Sequence, residues 1–578
     1  MVHQALVWDR SAQFNRQTTF SKFALVTVSS AVSLLLLCLL TASFAPLFDP
    51  DEGYYPATAA ESVASGSAWD PRLNGEPRWD KPILPYALIE GAFSLFGRRV
   101  AAARIPSALQ GTALVLVVGF LVWRLAGPRA GALSAVIVST TAGVQIFSRV
   151  AHPEIGVVLS VVTTELLVCL WLVRPVDAAG WHLAVAAGVS VGYGVLAKGP
   201  VAIALPLLML GLAAPFIHVS ALRSASRLRD AGMAAAITVL VAAPWYVAMT
   251  LRHGYSFLHT ALWKHNVMRY TTTAYGHRRS VLFFIIPTVI ALLPWIAFLP
   301  QAFRLVFRRD ATPKQALRTC MGASAVSAFV FYSFSSSQLP NYALVFIPPL
   351  AVLIALWFDE QFDAAPVARR ASRVSTTALL AVGATVLIAG PLVVGHRLRA
   401  RDVLGGVPSQ TADVVELLSP VTLPSGLLVA IASVVVMTIS SLRVRVGSLA
   451  AMGAIIPVLV LAGARPMLRA VYPWEAFGRV IASIPGPVWL VGYRAPSLTF
   501  YAGRRVQSVP NAESLRPALE RGAGGWLLLD RDTWSGTSGS EIVRGLTTRV
   551  CATGGRMVLV RVEHQCCIQP SCGTQAEP

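Results

Sequence analysis

The chain has 578 residues, of which 55% are hydrophobic and only 13% are charged, and its mean hydropathy is +0.61. A soluble protein carries roughly a quarter of charged residues, so this composition excludes an ordinary soluble enzyme and indicates a membrane protein. The formal net charge of +20 would suit a nucleic-acid partner, unless the charges follow the topology of a membrane protein.

Long apolar runs predict membrane-spanning helices. The first run, 23–45, can cross about 30 Å of hydrocarbon and is too long for the apolar part of a signal peptide, so we expect an uncleaved helix. We predict an all-α polytopic protein with about 13 transmembrane helices. The remaining runs are 104–123, 131–147, 155–173, 182–197, 200–217, 231–250, 281–302, 319–335, 342–357, 375–395, 425–441 and 447–463.

Lysine and arginine are concentrated in alternate loops. With a cytoplasmic N-terminus, every predicted inside loop is basic, as the positive-inside rule requires. This distribution explains the net charge without a nucleic-acid partner. We therefore expect a multi-pass protein of the cell inner or plasma membrane. The predicted exterior loops are 46–103, 148–154, 198–199, 251–280, 336–341, 396–424 and the chain after about 465.

Four regions follow from this pattern. Residues 1–22 form a cytoplasmic basic N-terminus, and 23–464 form a transmembrane domain that includes the exterior loop 46–103. In 465–563, PVWLVGYR, GWLLLD and MVLVRV have strand length and predict a small extracytoplasmic α/β domain. We expect the tail 564–578 to be disordered. The sequence does not determine how cysteines in this exterior region pair.

The first exterior loop carries the strongest chemical signal. Asp49, Asp51 and Glu52 directly follow the first span. A carboxylate at an apolar boundary tends toward a raised pKa, which suits a general base, although an isolated loop acid is often simply solvated. Asp80 and Lys81 follow in the same loop, where Lys81 could serve as a point charge for a phosphate.

Other exterior loops add polar clusters. SRVAHPEIG contributes Arg149, His152 and Glu154, for which an interfacial arginine and a satisfied histidine are the simple alternatives. The loop 251–280 is basic despite its exterior position, which indicates an anionic ligand. LAKGP places Lys198 at an exterior helix junction and lacks the glycines of a phosphate-binding P-loop.

In this order the clusters resemble the polytopic glycosyltransferases of the C superfold. The similar branch contains bacterial aminoarabinose transferases and protein O-mannosyltransferases (families 39 and 83), and the resemblance covers roughly 25–355. The sequence departs from the family at Tyr54, Ala57, Asp80, His265–Asn266 and Gln338. The matching motifs are Pro50–Tyr55, Gly66–Gly75, Lys81–Tyr86, Arg149–Glu154, Lys198–Pro200, Arg269–Tyr270 and Ser335–Tyr342.

The resemblance implies an inverting glycosyltransferase that uses a polyprenyl-phosphate sugar at the extracytoplasmic membrane face, with cell-envelope roles such as lipid A modification or protein O-mannosylation. Its acceptor would be a hydroxyl or phosphate of a lipid, a glycan or a protein. Asp51 would act as base, with Glu52 as the second catalytic residue. The implied substrate-binding residues are Tyr55, Asp80, Lys81, Tyr86, Arg149, Glu154, His265, Asn266, Arg269, His277, Gln338 and Tyr342.

Three alternatives remain open at this stage. A polytopic transporter or flippase of lipid-linked glycans would also have many spans, but it predicts ionisable residues inside them, and few are present. A glycan ligase would share the lipid donor. No cofactor is certain, and a divalent metal held by Asp80 and His265 stays open.

Overall fold

The computed structural model of the chain describes residues 10–175, 180–216, 224–272, 279–309, 312–364, 439, 441–511, 513–515, 517, 524–535, 547–554 and 557–563. Most of this chain is helical, in keeping with the predicted all-α bundle. The helices before the C-terminal region are α1 (Arg10–Thr41), α2 (Asp51–Ser65), α3 (Leu84–Phe96), α4 (Val100–Ala126), α5 (Pro128–Thr140), α6 (Ala142–Phe147), α7 (Glu154–Val173), α8 (Trp181–Lys198), α9 (Val201–Ala213), α10 (Ala225–Leu258), α11 (Arg269–Thr271), α12 (Ile285–Ala291), α13 (Leu299–Phe303), α14 (Pro313–Ser333), α15 (Ile347–Asp363) and α16 (Leu442–Val471).

Fewer long spans are present in the described residues than the apolar runs predicted. Six helices there are long and apolar enough to cross a membrane, or seven if one bent pair counts as a single span. That pair replaces the predicted span 281–302: α12 and the segment Trp295–Phe307 meet at 110°, with Pro294 at the break. Proline lacks the backbone donor that a continuous helix needs. The predicted run 131–147 is likewise divided, into α5 and α6. The run 375–395, the loop 396–424, the tail 564–578 and the run 425–441 apart from 439 and 441 lie outside the described residues.

The first exterior loop folds into helix, hairpin and helix. Helix α2 ends at Gly66, whose left-handed backbone (φ 68°) closes the helix. Strands β1 (Arg72–Leu73) and β2 (Glu76–Pro77) pair antiparallel around Asn74 and Gly75, which both have positive φ, as the tight Asn-Gly hairpin turn requires. Helix α3 has 13 residues and is too short to cross a bilayer, which needs about 20.

Residues 474–563 form the C-terminal unit. It consists of α17 (Trp474–Ser483), α18 (Pro496–Ala502), α19 (Arg531–Ser535) and a five-stranded sheet in the order β4-β3-β5-β7-β6. Strands β4 and β5 run parallel to β3, whereas β7 is antiparallel to both β5 and β6. The three runs predicted as strands are β3, β5 and β7. The strands are β3 (Val488–Val491), β4 (Gln507–Val509), β5 (Gly525–Asp530), β6 (Thr547–Gly554) and β7 (Met557–Glu563).

Residues of predicted inside loops meet one another through ion pairs. Arg129 Nε lies 2.5 Å from Asp359 Oδ1, and Lys314 Nζ lies 3.0 Å from Asp359 Oδ2. Arg308 pairs with Glu360 at 2.6 Å in the same region. Residues of predicted exterior loops also assemble together, as described below.

Candidate active site

Three cations from distant segments assemble around the first exterior loop. Lys81 follows the hairpin, Lys198 ends α8 and Arg269 begins α11. Burial lowers the pKa of Lys81 to about 8, Asp80 opposes that shift, and the positive charges of Arg269 and Lys198 add to it. We call Lys81, Lys198 and Arg269 the cation cluster. Positive charge concentrated in this way favours an anionic ligand.

Asp80 organises one side of the cation cluster. Its carboxylate accepts hydrogen bonds from Arg78 Nη2 (2.8 Å) and the Tyr86 hydroxyl (3.2 Å), while Lys81 donates to the Asp80 backbone carbonyl (3.0 Å). Burial would raise the pKa of Asp80, but the charges of Arg78, Lys81 and His265 outweigh it and lower that pKa. Asp80 therefore remains ionised and holds Lys81 in place.

Glu154 organises the other side. Its Oε2 lies 2.5 Å from Lys198 Nζ, and its Oε1 accepts from Asn341 Nδ2 at 2.5 Å. The Lys198 ammonium also lies 4.4 Å from the centre of the Tyr342 ring. Arg269 donates to the Ser337 hydroxyl at 3.4 Å, so the 335–342 motif touches two of the three cations.

Asp51 is the first residue of α2 and is exposed. Within the described residues its carboxylate has no hydrogen-bond partner. It interacts electrostatically with His152 and Tyr342, and the Tyr342 ring lies 4.4 Å from the Lys198 ammonium. An exposed, unengaged carboxylate next to concentrated positive charge is free to contact a ligand.

Glu52, the neighbouring acid, is in the opposite situation. Its side chain is buried, and Arg104 donates two hydrogen bonds to it, each of 2.8 Å. The backbone N–H groups of Ala151 (2.8 Å) and Phe48 (3.0 Å) donate to the same carboxylate. Both oxygens are therefore occupied, so Glu52 joins the loop to α4, whereas the neighbouring Asp51 is exposed.

Asp49 is a second candidate for the general base. Burial raises its pKa to about 7, while hydrogen bonds from Ser497 lower it and the charge of Glu52 raises it. Such a pKa would suit a general base. Both oxygens, however, accept hydrogen bonds from Ser497, through the backbone N–H at 3.1 Å and through the hydroxyl. Asp49 therefore contacts the C-terminal unit rather than the cation cluster.

A mainly apolar groove adjoins the site. Its cavity volume is about 10 Å³, which is room for about one water, within a wider empty space of about 310 Å³ that includes open solvent. His152 lines the groove, and its ring also interacts electrostatically with Glu154, Asp51, Lys198 and Lys81. The groove thus meets the charged site at one end. Its lining residues are Tyr55, Leu84, Pro85, Leu88, Ile89, Pro106, Ser107, Gln110, His152, Pro153 and Ala197.

Some predicted site residues have other contacts. Arg149 is buried and donates to Thr41 Oγ1 (3.0 Å) and to the Gln145 side chain (2.6 Å). Gln338 is also buried, with its amide bonded to Arg279 N and Ser333 O. Both side chains therefore support the framework around the site.

Of the remaining predicted residues, Tyr55, His265 and Asn266 interact with residues of the site. Tyr55 stacks obliquely near Tyr86, with ring centroids 5.7 Å apart, and His265 interacts electrostatically with Asp80 and Arg269. Asn266 lies against Gly199, next to Lys198. His277 lies outside the described residues.

Several residues of the site were not chosen from the sequence. Lys198 was recognised in LAKGP but not selected, although its place in an exterior motif was a sufficient signal. His152 was noted in SRVAHPEIG with a satisfied histidine as the alternative, and its buried Nδ1 has no hydrogen-bond partner among the described residues. Arg78 and Asn341 each adjoin a selected motif, and only the three-dimensional contacts distinguish them from ordinary loop residues.

The described residues offer no set of ligands for the divalent metal that the sequence left open. Among the described residues, no group of three or more His, Cys, Asp or Glu side chains is arranged to hold a metal ion. Asp80 is instead engaged by Arg78, Tyr86 and Lys81, as described above. The metal dependence predicted as an open alternative stays open.

The structure closely matches that of ArnT from Cupriavidus metallidurans bound to undecaprenyl phosphate. The TM-score is 0.76 at 21% identity, over 92% of this chain and 97% of that chain. The chain has the ArnT fold. The apo state of the same protein matches equally, with a TM-score of 0.76 over 94% of this chain. The comparison extends through the C-terminal region as well as the bundle.

Sequence comparisons point to the same group. The family model described as dolichyl-phosphate-mannose-protein mannosyltransferase matches residues 80–247. An undecaprenyl phosphate-alpha-4-amino-4-deoxy-L-arabinose arabinosyl transferase from Aeromonas salmonicida is 26% identical over 56% of this chain, and one from Pseudomonas fluorescens is 25% identical over 64%. The matched segments span 58% and 62% of those two relatives. The resemblance to polyprenyl-phosphate-sugar-dependent glycosyltransferases read from the motifs is thus confirmed.

Proposed function

We propose that this protein is an integral-membrane glycosyltransferase. It transfers a sugar from a polyprenyl-phosphate donor to an acceptor hydroxyl or phosphate, with inversion at the anomeric carbon. One observation carries the proposal: His152 lines the mainly apolar groove and also interacts electrostatically with Asp51, Lys198 and Lys81. This combination suits a ligand that has both a lipid chain and a phosphate.

The donor is divided between the two parts of the site. Its polyprenyl chain lies in the groove, where apolar side chains from α3 and α4 replace lipid contacts. Its phosphate lies among Lys81, Lys198 and Arg269, because charge-assisted contacts to phosphate are stronger than neutral ones. The relatives named for undecaprenyl phosphate sugars support this chemical class of donor.

The transfer uses Asp51 as general base. Asp51 removes the proton of the acceptor hydroxyl as its oxygen attacks the anomeric carbon from the face opposite the phosphate. The bond between that carbon and the phosphate oxygen breaks, and polyprenyl phosphate leaves with the bonding electrons. The cation cluster stabilises the negative charge that grows on the phosphate, which is electrostatic stabilisation of the transition state. With a phosphate acceptor, already ionised, the base is not required.

The site belongs at the extracytoplasmic face of the inner membrane. Every segment that contributes to it, from 51–86 to 337–342, comes from a loop that the positive-inside pattern places outside. The same pattern supports about 13 spans in the whole chain and an extracytoplasmic α/β domain at 465–563. The names of the similar aminoarabinose transferases give the donor, and the acceptor stays a hydroxyl or phosphate of a lipid, a glycan or a protein.

The test is a transfer reaction. Purified protein is incubated with a series of labelled polyprenyl-phosphate sugars and a membrane extract, and the labelled product is identified by mass spectrometry. We expect one sugar to move to an extract component, with an equal amount of polyprenyl phosphate released. Donor hydrolysis or translocation without a glycosylated product would contradict a transferase and favour the transporter alternative.

A further inference from the structure

The segment that carries Asp51 is attached to two different bodies of the molecule. Glu52 binds the buried Arg104 of α4, in the helix bundle. Asp49, two residues before Asp51, binds Ser497 of α18, in the C-terminal unit. The exposed Asp51 thus lies between two acids that both have partners. Asp49 binds the C-terminal unit, and Glu52 binds the helix bundle.

The contact at Ser497 occurs where α18 begins. The first N–H groups of a helix have no partner within the helix, and Asp49 accepts from one of them, the Ser497 N–H, at 3.1 Å. The Ser497 hydroxyl donates to the second oxygen of the same carboxylate, and the Ser497 side chain is fully buried. Both oxygens of the partly buried Asp49 carboxylate are therefore paired with the buried Ser497.

Close packing surrounds this contact. A Cβ at Gly53 would lie 2.0 Å from Asp49 Oδ1 and 2.8 Å from Ser497 N, so no larger residue fits there without displacement. The hydroxyl of Tyr501, also in α18, accepts a hydrogen bond from Leu47 N at 3.0 Å. Helix α18 therefore contacts the loop on both sides of Asp49, at Leu47 and at Gly53.

A second attachment fixes the hairpin of the same loop. The Asn74 side chain donates to Val506 O at 2.9 Å and accepts from Val506 N at 3.3 Å. Glu61 of α2 in turn accepts from the N–H groups of Asn74 (2.6 Å) and Gly75 (2.7 Å). The C-terminal unit is consequently joined to both ends of α2, the helix that begins with Asp51.

We propose that Ser497, acting through Asp49, is a positioning residue that holds Asp51 in its reactive place, so that the C-terminal unit is part of the catalytic apparatus. The inference rests on the proposed function for the role of Asp51. The attachment itself is independent of that role. Loss of the contact should loosen the loop and slow the chemical step. Binding of the donor to the cation cluster and the groove should stay unchanged.

The experiment compares Ser497→Ala with wild type in two measurements. Hydrogen exchange of peptides covering 46–55 should become about fivefold faster, the factor expected for one lost hydrogen bond. In the transfer reaction, kcat should fall about fivefold or more while the donor KM stays within about twofold. Ser483→Ala is the matched control, because Ser483 is an exposed serine of the same unit that bonds only to Val480 O among its described contacts.

Tyr501→Phe gives a second, milder variant that removes only the hydrogen bond to Leu47 N. It should increase exchange at 46–55 without altering the bond between Asp49 and Ser497. Unchanged exchange in both variants would overturn the attachment, whatever the enzyme does. Faster exchange with unchanged kcat would overturn the positioning role and leave the proposed function intact. If wild type transfers no sugar, the proposed function fails, and the positioning role fails with it.

Discussion

At the scale of single residues, the acids of the first loop differ in what they contact rather than in kind. Asp49, Asp51 and Glu52 occur within four positions, and from the sequence each could be the base. The structure separates them because Asp49 and Glu52 are bonded to partners 448 and 52 positions away. Local sequence cannot reveal such distant partners, although it did locate the acidic segment.

Glu52→Gln is expected to affect stability more than chemistry. The change removes a charge from a buried pair and leaves Arg104 without its counter-charge, which costs roughly 3 kcal/mol. Thermal unfolding in detergent should show a clearly lower Tm, whereas the donor Kd of the folded protein should stay near wild type. Asp51→Asn, at an exposed position, is the control and should leave Tm unchanged.

The cation cluster predicts separate effects on donor binding. Lys81→Ala and Arg269→Ala should each weaken binding of polyprenyl phosphate by about tenfold to a hundredfold, because a charge-assisted contact contributes roughly 1.5–3 kcal/mol. Equilibrium binding of a labelled lipid phosphate measures the effect. Arg99→Ala is a suitable control, since this exposed arginine bonds to Phe96 O away from the cluster. Wild-type affinity in both cluster variants would remove these residues from the site.

The lowered pKa of Lys81 gives a pH prediction. The protonated form, which attracts phosphate, is present below a pH of about 8 and is lost as pH rises through that value. Affinity of the free protein for polyprenyl phosphate should therefore decline above about pH 8. Lys81→Arg keeps its charge over this range and should abolish the decline. A decline that persists in Lys81→Arg would assign the titration to another group.

At the scale of elements, helix boundaries were the least accurate predictions. The strands β3, β5 and β7 of the C-terminal unit follow from the length of their apolar runs. The predicted span 281–302 is a bent helix pair in the structure, because hydropathy registers apolar composition but not the break at Pro294. The groove was also beyond prediction, since α3 and α4 become its walls only when they pack.

Helix α3 offers a test of the groove. Leu88 lines it, whereas Leu95 of the same helix is 79% exposed and does not line it. Leu88→Trp should fill the groove and weaken binding of a long-chain polyprenyl phosphate by about tenfold, with little effect on a short-chain analogue. Leu95→Trp should bind both lipids as wild type does. Equal losses for both lipids would indicate a general disturbance instead of a filled groove.

At the scale of the whole molecule, the order of motifs was more informative than any one of them. Separate loops that are predicted to be exterior supply Lys81, Glu154, Lys198 and Arg269, and the fold brings them together. The alternation of basic loops predicted this common location, because it assigned all of these segments to one membrane face. What the sequence could not show was that the C-terminal unit also contacts the first loop.

Topology can be examined directly. A phosphatase reporter fused after residue 464 should be active, because we expect the chain that follows to be extracytoplasmic. A reporter fused after residue 309, in a predicted inside loop, provides the opposite control. Activity only in the second fusion would invert the membrane orientation and move the proposed site to the cytoplasmic face.

The central claim is that Asp51 deprotonates the acceptor in a sugar transfer from polyprenyl phosphate. Its most direct test is turnover of Asp51→Asn with the identified donor and a hydroxyl acceptor, measured as polyprenyl phosphate released together with glycosylated product. We expect turnover to fall about a hundredfold or more, the scale of general-base catalysis, while donor Kd stays near wild type. Full turnover in Asp51→Asn, with loss in Glu154→Gln instead, would contradict the assignment of the base.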